Sequence, residues 1–111
     1  MAQFILLLQG GEFSEYSEEE MQRIRDEYYA WSQKLASEGR DLGGNELAGT
    51  GRILRKKDGQ YVDGPFTETK EAVAGFFQIE ARDLEEATAI SRECPHLKFK
   101  GKVEVREIVV H

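Results

Sequence analysis

The chain has 111 residues, of which 40% are hydrophobic and 32% charged, and its 15 basic and 21 acidic side chains give a formal net charge of -6. A chain of this length buries enough surface for one core but not for two, so we expect a single globular domain over residues 1–111. The acidic balance argues against non-specific binding to nucleic acid or to an anionic membrane, because both would repel it.

The first elements carry no sign of export. Residues 4–8 form a continuous apolar run bounded by Gln3 and Gln9. This run is too short for a signal peptide or a membrane span and predicts a strand with apolar side chains on both faces. Cys94 is the only cysteine, which excludes an intrachain disulfide framework. We therefore expect a cytoplasmic protein.

A first helix is predicted to end near Gly39. Ser17 and Glu20 have the spacing of a capping box, with Ser17 as the N-cap. Apolar side chains then recur every three or four residues, which places one stripe on the core side of the helix. The stripe consists of Met21, Ile24, Tyr28, Trp31 and Leu35. Packing explains Trp31 at this spacing better than a cofactor site does.

The middle of the chain predicts a short strand over residues 43–47 and then a hairpin. Residues 52–55 and 60–62 are the hairpin strands, and Asp58-Gly59 supplies the positive φ angles of a tight turn. The basic side chains Arg52, Arg55, Lys56 and Lys57 are interpreted as solubilising the hairpin and discouraging edge pairing.

A strand over residues 75–81, a second helix and a final strand over residues 102–110 complete the pattern. Asp83 and Glu86 mark the start of the second helix, and Pro95 is expected to end it. Its expected apolar side consists of Leu84, Ala87, Ile90 and Cys94. The order β-α-β, hairpin, β-α-β predicts an α+β, ferredoxin-like βαββαβ domain with an inserted hairpin.

Two helices cover only one face of such a sheet. The other face would expose apolar side chains of the first strand and Phe76, and a monomer seldom leaves such a patch in water. We therefore predict a homodimer in which two sheets pack face to face. Polar side chains would line the enclosed space, namely Gln78, Glu80, Glu104 and Arg106.

The stretch Asp-Gly-Pro-Phe-Thr-Glu-Thr-Lys-Glu at residues 63–71 resembles the YCII-related proteins of the DGPF type. The resemblance extends to Trp31, Gly43-Gly44, residues 75–77, Cys-Pro-His-Leu at residues 94–97 and Val-Glu-Val-Arg at residues 103–106. It implies a dimeric α/β barrel of ferredoxin-like subunits from bacteria. It also implies a link to sigma factors for some members and, in one branch, dehydrochlorination of an aromatic compound.

Relatives in the broader family are thought to use a His-Asp pair with its histidine near the first helix. The only histidines of this chain are His96 and His111, so that pair does not transfer by position. His96 is instead the default acid-base candidate, because its ordinary pKa lies near neutrality. The helix end before it favours the imidazolium form, and a purely structural or solvated role is the alternative.

Asp63 either caps the loop before Gly64-Pro65 or acts directly on a ligand, and Phe66 either fills the core or contacts that ligand. We hypothesise that Asp63 and His96 converge in one cleft. Arg106 either pairs with Glu104 or offers its guanidinium to an anionic ligand. Cys94 is expected to fill the core, and no metal, nucleotide or other cofactor site is predicted.

The leading functional hypothesis is a homodimer that binds a small organic molecule in a cleft of the barrel, with acid-base chemistry of a lyase or isomerase type. The alternative is a non-catalytic sensor or interaction protein that works with a sigma factor. A scaffold without any ligand is a third reading.

Overall fold

The computed structural model describes residues 1–64 and 72–111, and it describes residues 62–64 by their backbone alone. The chain forms strand β1 (Ala2–Gly10), helix α1 (Glu18–Ser37), β2 (Asp41–Glu46), β3 (Ile53–Lys57), β4 (Gln60–Gly64), β5 (Val73–Ala81), helix α2 (Leu84–Ser91), a 3₁₀ helix (Pro95–Phe99) and β6 (Gly101–Glu107). Within the described ranges, no helix is both long enough and apolar enough to cross a bilayer.

Four of the strands form one antiparallel sheet in the order β2-β5-β1-β6. Strand β1 lies at the centre, where Leu6 is opposite Phe77 on one side and Val105 on the other. This is the strand order of a ferredoxin-like domain, so the predicted α+β, βαββαβ class is confirmed. Strands β3 and β4 pair only with each other in the described sheet topology, as the inserted hairpin.

The alternation of β1 decides where the core lies. Phe4, Leu6 and Leu8 are buried beneath the helices, whereas Ile5 and Leu7 are half-buried on the other face. The buried residues pack with Trp31, Leu35, Phe77 and Ile79. The prediction that β1 has apolar side chains on both faces is confirmed, and the face that carries Ile5 and Leu7 is called the open face below.

Capping residues begin the first helix as predicted. The Ser17 hydroxyl accepts a hydrogen bond from the Glu20 backbone N–H at 3.1 Å, and the Glu20 carboxylate accepts one from the Ser17 N–H at 3.1 Å. This reciprocal pair satisfies two backbone donors that the first turn leaves without helical partners. The hairpin turn is also confirmed, since Asp58 and Gly59 have φ angles of 51° and 78°.

Several boundaries differ from the predictions. Strand β2 begins at Asp41, and α2 ends at Ser91, so Pro95 begins the 3₁₀ helix instead of ending α2. Leu84 is 53% exposed and does not belong to the apolar side of α2. Strand β6 ends at Glu107, one residue before the last backbone hydrogen bond to β1, which Ile108 donates to the carbonyl of Gln3 at 2.8 Å.

Candidate functional site

A pocket of about 490 Å³ lies between α1 and the β2–β5 edge of the sheet. Most of its wall is apolar or aromatic. The lining includes Phe13, Met21, Ile24, Tyr28, Tyr29, Asn45, Glu46, Phe77 and His96. A pocket of this size and character accommodates a small organic molecule and holds it mainly by apolar contact.

His96 lies in the wall of this pocket and is only 1% exposed. Its Nε2 atom is 2.9 Å from the backbone carbonyl oxygen of Gln9, and its Nδ1 atom is 2.8 Å from the hydroxyl oxygen of Tyr28. A carbonyl oxygen can only accept, so Nε2 carries the hydrogen of the neutral ring and Nδ1 accepts from the Tyr28 hydroxyl. The two contacts define one tautomer and one ring orientation.

Two glycines make room for the imidazole. A Cβ atom added at Gly101 would overlap the Nε2 and Cδ2 atoms of His96, and one added at Gly11 would lie 3.1 Å from its Cε1 atom. Gly11 also has a φ of 103°, which side chains other than glycine rarely adopt. The backbone of the chain therefore encloses the ring at the end of β1 and the start of β6.

Burial favours the uncharged forms of both His96 and Tyr28. It lowers the pKa of His96 below 6.5, although hydrogen bonds to the backbone of Gln9 and Gly10 oppose the shift. It also raises the pKa of Tyr28 above 10, with nearby Cys94, Glu27 and Glu46 adding to the effect. The expectation that a helix end favours the imidazolium form of His96 is therefore wrong, because desolvation favours the neutral ring.

The Tyr28–His96 pair has the geometry of a proton relay. Because the Tyr28 hydroxyl donates to His96, its oxygen retains lone pairs that can accept a hydrogen bond from a molecule in the pocket. If a molecule in the pocket gives a proton to that oxygen, Tyr28 would pass its own hydroxyl proton to Nδ1 of His96. The Nε2–H group would stay bonded to the carbonyl oxygen of Gln9. The hydroxyl oxygen of Tyr28 and Nδ1 of His96 lie 2.8 Å apart, which is within the hydrogen-bond distance that general base catalysis requires.

The four residues predicted to line a barrel cleft, Gln78, Glu80, Glu104 and Arg106, lie on the open face, and their lining of a cleft between two copies stays a prediction. None of the four lines the pocket described above. Glu104 accepts a hydrogen bond from the side-chain amide of Gln9 at 3.2 Å, and its other oxygen lies 3.7 Å from Nε of Arg106. The ion pair between Arg106 and Glu104, one of the two alternatives predicted for Arg106, is therefore present. Both side chains of that ion pair are solvent-exposed, so it adds little stability.

Two predicted site residues fall where the structure is not described. The backbone of Asp63 pairs with Leu54 in the hairpin, but the side chain of Asp63 and all of Phe66 lie outside the described residues. The convergence of Asp63 and His96 in one cleft stays a prediction.

Cys94 is 2% exposed and packs in the core, as predicted. Burial raises the pKa of its thiol to about 11, so the thiol is protonated at neutral pH and is a poor nucleophile. Among the side chains that the structure describes, those of residues 1–61 and 72–111, no group of three or more His, Cys, Asp or Glu is placed to hold a metal ion.

Sequence reasoning treated Tyr28 only as a member of the apolar stripe of α1, and it did not single out Met21 or Tyr29 as pocket residues. A signal was nevertheless present. A tyrosine on the core side of a helix needs a hydrogen-bond partner for its hydroxyl. His96 was the one internal side chain with an ordinary pKa near neutrality, and no partner had been assigned to it.

Comparison with known proteins is consistent with this architecture. The chain is similar to an uncharacterised protein of Rhizobium meliloti, R00369, with 31% identity over 103 residues that span 88% of this chain and 83% of that protein. It is also similar in fold to TftG, a 5-chloro-2-hydroxyhydroquinone dehydrochlorinase from Burkholderia phenoliruptrix solved with 2,5-dihydroxybenzoquinone. That similarity has a TM-score of 0.56 at 15% identity and covers 96% of this chain and 93% of TftG. The YCII-related domain family matches residues 3–110, and the chain therefore belongs to that family.

Proposed function

We propose that this protein binds a small aromatic molecule in the pocket between α1 and the β2–β5 edge, and that the Tyr28–His96 pair exchanges a proton with it. The single observation that carries the proposal is the bonded chain from Gln9 through His96 to Tyr28, which orients an acid-base pair in the wall of an apolar pocket.

The chemistry of the wall supports an aromatic ligand. Phe13, Phe77 and Tyr29 offer ring faces and edges, and Met21 offers an adaptable apolar contact. The Tyr28 oxygen accepts hydrogen bonds from the pocket, so a ligand with a hydroxyl group or another donor fits better than a pure acceptor. A phenol or hydroquinone combines both features.

The likeness in fold to a dehydrochlorinase that was solved with a dihydroxybenzoquinone agrees with this choice of ligand class. At 15% identity that likeness concerns the fold, and the proposal for this chain depends on its own pocket residues. The resemblance to sigma-factor-linked proteins supports no further statement, and a regulatory role and a cytoplasmic location stay predictions.

Hydroquinone is a suitable probe, and 1,4-cyclohexanediol is a control that keeps both hydroxyl groups but lacks the ring. We expect hydroquinone to shift the backbone amide signals of Gly44, Asn45 and Gly75 in an NMR titration, and the diol to bind at least tenfold more weakly. Met21→Trp, which fills the pocket, should abolish binding. Arg106→Leu should leave it unchanged, because Arg106 lies on the open face.

Binding that survives Met21→Trp and is lost in Arg106→Leu would contradict the proposal and favour a cleft on the open face. Tyr28→Phe tests the acid-base pair separately. It should weaken hydroquinone binding about fivefold, the equivalent of about one hydrogen bond. Tyr29→Phe is the control at the adjacent position, because it removes a hydroxyl group and keeps the aromatic ring in the pocket lining.

We also propose that two copies pair through their open faces to form the barrel. Ile5, Leu7 and Phe76 lie together there, since Leu7 is opposite Phe76 and Ile5 is two residues away on the same strand. Pairing would remove this apolar surface from water. Sedimentation equilibrium should give twice the chain mass for the wild type, and Leu7→Lys should reduce it to the single-chain value.

A further inference from the structure

The β3–β4 hairpin is unusually exposed. The arm is defined here as residues 52–61. Among the described residues, its strands form a two-stranded sheet separate from the four-stranded sheet, and every residue of Ile53–Lys57 is exposed, as are Gln60 and Tyr61. A two-stranded hairpin alone is marginally stable in water, so an arm of this kind calls for a surface to pack on.

One face of the arm is apolar and aromatic. Lys56 is opposite Tyr61 in the ladder, and Leu54 lies two residues before Lys56, so all three share a face. Leu54 is 67% exposed and Tyr61 is 77% exposed, and the Lys56 ammonium lies 5.6 Å from the centre of the Tyr61 ring. Tyrosine beside a leucine and a basic side chain on an exposed face is typical of a protein-protein contact and not of a surface that stays in water.

The charge of the arm is opposite to that of the remainder of the chain. Four basic side chains and Asp58 give the arm a net charge of +3, so the other residues carry -9 of the total of -6. The densest acidic stretch is residues 12–20, with five glutamates and no basic residue. The net charge of -6 makes two copies of the chain repel each other. Where the basic arm of one copy faces the acidic stretch of the other, however, the two surfaces attract each other.

We propose that the arm docks on the acidic surface that residues 12–20 form on a second copy of this chain. The inference rests on the pairing of two copies proposed above but not on the ligand pocket. In a symmetric dimer each arm makes the contact once, so the contact occurs twice. The interpretation of the arm lysines as solubilising accounts for their charge but leaves the exposure of Leu54 and Tyr61 unexplained.

Sedimentation equilibrium of five proteins tests the inference. They are the wild type, Leu54→Ser/Tyr61→Ser, Lys56→Glu/Lys57→Glu, Leu7→Lys and the control Leu84→Ser, which changes a leucine that is 53% exposed on α2. We expect the arm variant to raise the Kd of the dimer at least tenfold and Leu84→Ser to leave it within twofold. Lys56→Glu/Lys57→Glu should raise the Kd as well and should reduce its dependence on salt, because fewer attractive charges remain to be screened. All the changed arm residues are exposed, and the amide spectrum of each variant verifies its fold.

The outcomes separate the two proposals. A dimer that Leu7→Lys disrupts and the arm variant leaves unchanged overturns the docking of the arm and retains the pairing of open faces. A dimer that only the arm variant weakens retains the arm and overturns the pairing of open faces. A wild type that stays monomeric at 100 µM overturns both. If the arm variants keep the dimer but lose binding to a 20-nucleotide DNA probe, nucleic acid is the partner of the arm and the inference is wrong.

Discussion

Removing one hydroxyl group from α1 tests the Tyr28–His96 contact. In Tyr28→Phe the Nδ1 atom of His96 loses the donor that lies 2.8 Å away. His96 is 1% exposed, so water does not readily replace that donor. A buried acceptor left without a partner costs about 1–3 kcal/mol in the free energy of unfolding. For a chain of this size, the expected fall in Tm is roughly 5–15 °C.

Tyr29→Phe is the matched control, because it removes the same group from the next residue of the same helix. Tyr29 is 66% exposed, and its loss should change the free energy of unfolding by less than about 0.5 kcal/mol. Urea denaturation followed by the fluorescence of Trp31, the single tryptophan, measures both variants.

A second readout comes from NMR titration of the His96 ring. The Tyr28 hydroxyl bonds to the neutral form of the imidazole, so its removal should raise the pKa of His96 from its lowered value toward 6.5. Equal stabilities for Tyr28→Phe and Tyr29→Phe, together with an unchanged His96 pKa, would refute the assigned contact.

Three further predictions concern the same region. Burial lowers the pKa of His96, so as the pH falls below 6.5 the unfolded chain takes up a proton before the folded chain does. The free energy of unfolding should therefore decrease from pH 6.5 down through the folded-state pKa of His96. Urea titrations between pH 7.5 and 5.0 should show this decrease in the wild type, and its persistence in His96→Gln would assign it to other groups. Gly101→Ala should lower the free energy of unfolding by about 1–3 kcal/mol, because the added methyl group overlaps the His96 ring. It should also remove the ¹⁵N signature of the Nε2–H tautomer of His96. The control Gly39→Ala, which has open space around its Cβ and a φ of 73°, should cost about 1 kcal/mol and keep that signature. Cys94, with its pKa raised to about 11, should resist iodoacetamide at pH 7.5 in the native protein and react in urea; rapid native labelling would contradict its burial.

The local signals of the sequence were sufficient for most of the fold. The Ser17–Glu20 box and the Asp58-Gly59 turn act between residues close in the chain, and their chemistry alone determines the local backbone. The alternation of β1 assigned its two faces for the same reason. The end of β6 was missed because it depends on how far β6 pairs with β1, and that pairing is a contact between residues distant in the chain.

The candidate site depended almost entirely on such distant contacts. His96 contacts Tyr28, 68 residues earlier, and Gln9, 87 residues earlier. Sequence alone indicated that His96 was a titratable candidate, but it did not give the partner, the tautomer or the burial that lowers the pKa. The pocket was missed as well, because its walls come from α1, β2 and β5 and no single segment carries its outline.

The location of a bound ligand tests the central proposal most directly. Intermolecular NOEs between the ring protons of hydroquinone and protein methyl groups report which surface the probe contacts. We predict NOEs to the Met21 methyl group in the pocket and none to the methyl groups of Ile5 and Leu7 on the open face. NOEs to Ile5 and Leu7 without any to Met21 would place the ligand in the barrel and contradict the assignment of the site to Tyr28 and His96.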